Sequence, residues 1–440
     1  MTDRRVVITG VGVVTALGRD RETYFDALLK GDVGVGRITA FDPSGFPSQV
    51  GGEVGPLPVR KVVPKSHRKA TKLMSRDIEL SVVAADAAVR DAGLRTKGTH
   101  PDETPDIEPA RSGVNIGAGL ICCDLVELGA AVEHAIEEGS FSYGKWGRTG
   151  MESLTPLWLL KYLPNMLSCH ASIIHDLQGP SNSVTCGEAS GLLSVGEAYR
   201  TIRRGKADLM IAGGAESKIN AMGLLRQCLL GRASTHYNES PGQACRPFDK
   251  GADGTVIAEG AAILVLETLE GARARGGRIY AELRGFGASV NFSRDFLAIE
   301  PDGRGVTLAI EKALKQAGVG AGELDLLVPY GTGIAANDRA ELAGIGAALG
   351  EAAGQPAVLA VKSRLGNCGA GSPAIDLASA VLTLDADKVA PLVNCPDPVE
   401  ASGLNLTNGG VRDVAIRHAL TCCYTYGGQT AAMVISKVKG

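Results

Sequence analysis

Apolar residues along the chain come in two rhythms. Short runs rich in Val and Ile, bounded by glycine, alternate with longer stretches whose apolar positions recur every three or four residues. The first pattern predicts buried strands and the second helices. Strands are predicted over residues 5–10, 113–118, 207–214, 261–267, 278–285, 324–328 and 357–361. Helices are predicted over residues 21–30, 65–94, 120–138, 157–167, 192–204, 269–275, 337–349 and 373–384. Residues 414–423 and 430–438 read as a closing hairpin, residues 41–57 as loop and hairpin, and residues 96–109 as a surface loop. Gly10-Val11-Gly12 is expected to turn the chain out of its first strand. This alternation argues for sheets covered by helices, and a second unit opens near residue 278.

One junction stands out. Gly179-Pro180-Ser181-Asn182-Ser183-Val184-Thr185-Cys186-Gly187-Glu188-Ala189-Ser190-Gly191 passes from an extended segment through a tight turn into the helix over 192–204. Such an elbow aims one side chain into a cleft, at the positive end of a helix dipole. The residue at its tip is Glu188. Its carboxylate is expected to meet free backbone N–H groups of that helix.

Composition narrows the reading. With 440 residues, 45% hydrophobic, 21% charged and only 4% aromatic, the chain has a large core of small side chains. A net charge of −3 with no long basic run gives no footprint for nucleic acid. No apolar run is long enough for a membrane span, and Met1-Thr2-Asp3-Arg4-Arg5 enters a strand directly without a signal-peptide core. Ten scattered cysteines without CxxC or metal-like spacing read as free thiols of a reducing cytoplasm, and no metal site is expected. Gly10-x-Gly12 lacks the third glycine and the downstream acid of a dinucleotide site.

Five glycine-bounded and loop motifs carry a resemblance. Gly179-Pro180-Ser181, Ala212-Gly213-Gly214-Ala215-Glu216, Arg246-Pro247-Phe248-Asp249, Gly331-Thr332-Gly333 and Val361-Lys362-Ser363 stand in this order. Their spacing resembles that of the elongating β-ketoacyl-carrier-protein synthases, over residues 6–438. The resemblance implies an α/β thiolase-type fold, two similar halves in five layers (αβαβα) with mixed sheets, and an obligate dimer. The halves are expected at 1–257, with the elbow at 186–191 and dimer-forming insertions, and at 258–440.

The family's chemistry needs an elbow cysteine to carry the acyl chain and two histidines to stabilise an enolate. At the matching positions this chain has Glu188, Tyr330 and Asn367. A glutamate is a poor acyl carrier, and neither tyrosine nor asparagine supplies an imidazolium. Lys362, Asp338 and Glu341, which support the site in active relatives, are retained. The closing bend reads Tyr424-Thr425-Tyr426-Gly427-Gly428, with Thr425 where the family has glycine.

An intact scaffold with a dismantled site resembles the chain-length factors of type II polyketide systems. The role implied is a catalytically silent subunit that pairs with an active ketosynthase and shapes its acyl tunnel. Its other partner would be an acyl carrier protein bearing a phosphopantetheine-bound chain; no cofactor is implied. Leu120, Ile121, Cys122, Tyr424 and Tyr426 are the expected tunnel and gate positions. Lys65, Arg68, Lys69 and Lys72 are the expected edge of carrier-protein docking, or otherwise a solvated face. Two alternatives stay open: a malonyl-carrier-protein decarboxylase using Glu188, and a homodimeric acyl-binding scaffold.

Overall fold

The computed structural model describes residues 4–293, 296–399, 403–406 and 409–438. Ten strands lie along one ladder: β1 (Val6–Val14), β2 (Ser112–Ala118), β3 (Ser181–Val184), β4 (Leu209–Ser217), β5 (Ile257–Thr268), β6 (Ala281–Val290), β7 (Leu326–Val328), β8 (Ala357–Val358), β9 (His418–Tyr424) and β10 (Gln429–Ser436). Their spatial order is β8-β7-β9-β10-β6-β1-β5-β4-β2-β3. Two short strands, Val35–Arg37 and Val50–Gly52, attach beside β5 and complete a 12-stranded sheet.

The order conceals a duplication. Reading outward from the β1–β6 pair, each half runs first strand, fifth, fourth, second, third. The second strand is parallel to its neighbours in both halves, and the remaining pairs are antiparallel. β5 pairs with β1 and β4, so strand pairing groups it with the first half. The division expected at 257/258 therefore moves to the connection between β5 and β6.

Helices fill the remaining layers. α1 (Arg76–Asp91) and α2 (Met166–His175) cover the outer face of the first half, and α5 (Arg304–Ala317) and α6 (Ala335–Leu349) cover that of the second. Between the half-sheets lie α3 (Ser190–Arg203) and α7 (Ser372–Ala386). α4 (Ala221–Leu229) follows β4 at the rim of the site. Every residue of α7 from Ser372 to Leu384 is buried, including the polar Asp376, Ser379 and Thr383. Its Ile375, Leu377 and Val381 share one core with Leu192, Val195 and Ile202 of α3.

The first strand does not end at Gly10 as expected. It runs on to Val14 because Gly10 and Gly12 let α1 press against the sheet. A Cβ at Gly10 would lie 2.2 Å from Ala88 O, and one at Gly12 2.0 Å from Ala84 O. The second half repeats the device, with Gly285 and Gly287 against Ala313 and Ala309 of α5.

Three predicted helices are shorter than expected. Over 65–94 the helix begins only at Arg76; Lys65–His67 and Ala70–Leu73 are separate 3₁₀ turns. Within 65–75 only Met74 is buried, so no apolar stripe holds a helix together. Lys65, Arg68, Lys69 and Lys72, at helical neighbour spacing, would also repel one another. Over 120–138 the helix starts at Leu125 (Leu125–Glu133), where the Asp124 carboxylate caps Val126 N at 2.7 Å; a small hairpin, Ile136–Glu137 with Ser140–Phe141, follows. Over 157–167, Pro164 separates a 3₁₀ turn, Trp158–Tyr162, from α2. The remaining predicted elements are present with shifted ends.

Candidate functional site

β3 enters the elbow, and α3 leaves it. Gly187 sits at φ +53, and a Cβ there would meet Thr425 Oγ1 at 2.7 Å, so the turn demands glycine. Ser190 Oγ fixes the bend by accepting from Cys186 N at 2.8 Å and donating to Gly187 O at 2.6 Å. The second half builds the same bend: Gly369 has φ +56, and Ser372 Oγ accepts from Cys368 N at 2.8 Å. Two equivalent elbows thus face each other at the starts of α3 and α7. The first carries Glu188, and the second is flanked by Asn367.

Glu188 is 2% exposed, but it does not cap α3 as expected. Its backbone N–H donates to Thr425 Oγ1 at 3.2 Å, and its carboxylate turns into an ionic cluster. Lys218 Nζ donates to Oε1 at 3.0 Å, Asn367 Nδ2 to Oε1 at 2.9 Å, and Arg232 Nη2 lies 3.1 Å from both oxygens. Lys218 and Arg232 are themselves buried. Burial alone would raise the Glu188 carboxyl, but the charges of Arg232 and Lys218 and the hydrogen bonds from Lys218 and Asn367 outweigh it. The carboxyl is pulled down to about 2. Burial likewise works against the two cations, and Glu188 overrides it, raising both.

The bend after β9 closes over this cluster. The Arg232 guanidinium lies 4.2 Å from the Tyr426 ring centroid, a cation–π contact. Its Nε and Nη1 are buried without a hydrogen-bond partner among the described residues. Sequence reasoning missed Lys218 and Arg232. The available signals were the position of Lys218 two residues beyond Glu216 and the general rule that a buried carboxylate needs a cation.

Tyr330 and Tyr424 pack edge to face, with centroids 5.2 Å apart, both fully buried. Lys362 Nζ lies 3.8 Å from the Tyr330 centroid and pairs with Asp376 of α7. Burial first, then Glu188, pushes the Tyr330 phenol well above its ordinary range, so it stays neutral. Its hydroxyl has no hydrogen-bond partner among the described residues. Glu341 accepts from Tyr330 N and Gly331 N, at 2.5 and 2.8 Å. Asp338 accepts from Phe248 N, Thr332 N and Gly333 N. These carboxylates fix the 330–333 loop through its backbone. Cys186 is half-buried, and burial raises its thiol, the reverse of what a nucleophile needs.

A cavity of about 280 Å³ opens beside Glu188, lined by Leu120, Pro164, Lys218, Gln227 and Tyr426 among others. Of the expected gate positions, Leu120 and Tyr426 reach it. Ile121 is buried in the core beneath α1, and Tyr424 is buried against Tyr330. Cys122 lines a neighbouring cavity of about 470 Å³ with Asp77, Cys123 and Glu127, and Arg226 Nη2 approaches its sulfur to 2.6 Å. Lys65, Arg68, Lys69 and Lys72 are exposed on the turns before α1. Among the described residues, no group of three or more His, Cys, Asp or Glu could hold a metal ion, and no helix is long and apolar enough to cross a membrane.

A carboxylate held by two cations and an amide is not free to attack an acyl group, and neither Tyr330 nor Asn367 carries a positive charge. Comparison with known proteins places this geometry in context. The model for "Beta-ketoacyl synthase, N-terminal domain" matches residues 3–272, and that for "Beta-ketoacyl synthase, C-terminal domain" residues 280–396. The chain is 32% identical to 3-oxoacyl-[acyl-carrier-protein] synthase 2 of Vibrio harveyi over 439 residues, covering 100% of both chains. It is 31% identical to the protein of that name from Staphylococcus aureus, over 99% of each. Among solved structures it superposes with a TM-score of 0.83 and 26% identity on a type II polyketide synthase complex of acyl-carrier protein and ketosynthase bound to the hexaketide. It superposes with 0.83 and 27% on the ishigamide ketosynthase/chain length factor, each over 100% of both chains. The duplicated sheet, the paired elbows and these matches agree: the chain belongs to the β-ketoacyl synthase family, with its thiolase-type α/β fold.

Proposed function

We propose that this chain is a catalytically silent, chain-length-factor-like subunit that pairs with an active ketosynthase. In that role it shapes the tunnel in which acyl-carrier-protein-bound chains grow by decarboxylative condensation. The observation that carries this reading is the state of Glu188. It stands where the nucleophile of an active relative would stand, and it is committed to Lys218, Arg232 and Asn367. Tyr330 is neutral and beneath Lys362, and Asn367 spends its amide on Glu188, so neither offers the cation that enolate formation needs. The same facts weigh against a malonyl decarboxylase.

Two features support a partner. β3 ends the sheet, with its outer edge unpaired among the described residues. Beside it α2 exposes Ile173, and the 3₁₀ turn before α2 and its leading residue expose Leu159 and Leu157. One solved structure similar to this chain is of a ketosynthase with a chain length factor, and another of a ketosynthase with its acyl-carrier protein. The 120–127 segment, with Leu120 on the rim of one cavity and Cys122 in the next, is where this subunit would border its partner's tunnel.

The test is capture of the chain from its own host, with partners identified by intact mass. One-to-one recovery of a synthase-like subunit bearing an intact Cys, His and His set supports the proposal. Recovery of the chain alone, as a homodimer, overturns it.

A further inference from the structure

The cavity beside Glu188 has walls unlike those an alkyl chain requires. Lys218 and Glu188, both more than nine-tenths buried, face it, as do Glu216 and the guanidinium-bearing Arg226. Gln227, 4% exposed, also lines it, and its Oε1 has no hydrogen-bond partner among the described residues. An acceptor buried without a donor keeps an unmet desolvation cost, so the site calls for a donor from outside.

Charge sets the other requirement. Lys218 and Arg226 face the cavity together with Glu188 and Glu216, and Lys218 shares the Glu188 carboxylate with Arg232, which is not part of the wall. Among the described residues Arg226 makes no ion pair with a carboxylate; its guanidinium contacts the Cys122 sulfur and Met222 O and acts on Glu216 only at longer range. Leu120, Pro164, Leu230 and Tyr426 supply apolar and aromatic parts of the wall, beside Thr185 and small residues. A volume of about 280 Å³ admits a small molecule, not a long chain.

We propose that this cavity binds a short carboxylate bearing a hydroxyl or amino group. Its anionic end meets Arg226 and Lys218, and its donor group bonds Gln227 Oε1. The buried charges exclude a plain alkyl chain, which would desolvate Glu188, Glu216 and Lys218 without replacing a hydrogen bond. This goes beyond the silent-subunit reading and does not depend on the identity of the partner, since the residues belong to this chain alone.

The test uses the full chain as purified and three probes of equal length, 3-hydroxybutyrate, butyrate and 1,3-butanediol, with hexanoate as a longer alkyl control. Binding is read by saturation-transfer NMR and calorimetry. 3-Hydroxybutyrate is expected to bind. Butyrate, lacking the donor, and butanediol, lacking the charge, are each expected to be ~10-fold weaker or worse. In Gln227→Leu the advantage of 3-hydroxybutyrate over butyrate should disappear; in Arg226→Met its advantage over butanediol should fall. Butyrate binding as tightly as 3-hydroxybutyrate to the unaltered chain overturns the proposal, as does failure of all three probes to bind. Tighter binding of hexanoate than of 3-hydroxybutyrate also overturns it and returns the cavity to an alkyl pocket. None of these outcomes bears on whether a ketosynthase co-purifies.

Discussion

Arg232 reaches both carboxylate oxygens of Glu188 through one nitrogen, at 3.1 Å to each, while its face rests 4.2 Å from the Tyr426 ring centroid. The elbow, the loop after α4 and the closing bend are therefore held by one guanidinium. Removing Glu188 strands two buried cations. Glu188→Ala is expected to cost about 3–5 kcal/mol of stability, because an uncompensated buried charge is far worse than none. In the double variant Glu188→Ala/Arg232→Met the loss should be smaller than the sum of the two single losses, a coupling of about 1–3 kcal/mol. Urea unfolding of the four-member cycle measures it; additive losses would show that the pair is not coupled.

The cluster also sets a dependence on pH. The Glu188 carboxyl, ordinarily near 4.5, is depressed to about 2 in the fold. Its contribution is complete above about 4.5 and is lost as pH falls toward 2, a change on the order of 3 kcal/mol. Asp77 and Glu341 act in the opposite sense. Burial raises both to about 7, so the folded chain holds their protons more tightly than the unfolded chain does. Their contribution to stability is present below about 4 and lost as pH rises to 7. Melting temperature should therefore peak in mildly acidic solution. Asp77→Asn should flatten the neutral-side decline, and Glu188→Gln the acid-side one. A profile in Glu188→Gln as steep below pH 4.5 as in the parent would count against the assignment.

Gly187 and Thr425 meet across the two halves. Gly187→Ala combines a left-handed backbone, costing roughly 1–2 kcal/mol, with a Cβ at 2.7 Å from Thr425 Oγ1. It should lower stability by about 2 kcal/mol or more. Thr425→Gly alone should lower it by about 1 kcal/mol, because Glu188 N loses its acceptor. Combined, the two should cost less than their sum, since the contact that Gly187→Ala violates is gone. Strict additivity in differential scanning fluorimetry would place the strain in the backbone alone.

Lys65, Arg68, Lys69 and Lys72 are exposed and sit on short turns. Reversing all four charges should change stability by no more than about 0.5 kcal/mol per site. If carrier protein docks chiefly on the active partner, condensation by the heterodimer should fall only slightly. A loss as large as that produced by the equivalent reversal on the partner would move docking onto this subunit.

Much of this was legible in the sequence because the signals are local. Glycine-bounded apolar runs gave the order of strands and helices, and five short motifs located Glu188, Tyr330 and Asn367. What was not legible depends on distance in the chain. Lys218 and Arg232 look like ordinary basic residues until the fold brings them to a carboxylate in an earlier element. Gly10 and Gly12 resemble a turn because their use, admitting α1 against β1, is seen only once the helix is in place. The two similar halves were legible, but the role of Gly285 and Gly287, which repeat the device against α5, was not. Residues 65–75 kept the polar half of an amphipathic pattern without the apolar half, and a helix was expected where only turns form.

The cluster around Glu188 has a historical consequence. A nucleophile lost by one substitution can in principle return by reversal. Here the replacement has acquired dependants: Lys218 and Arg232 are buried on the strength of its charge. Reversal to a neutral side chain at 188 would carry the stability loss of two stranded cations, unless both basic residues changed as well. On the proposed silent-subunit reading, the ionic cluster works as a ratchet that makes the road back to catalysis pass through a less stable fold.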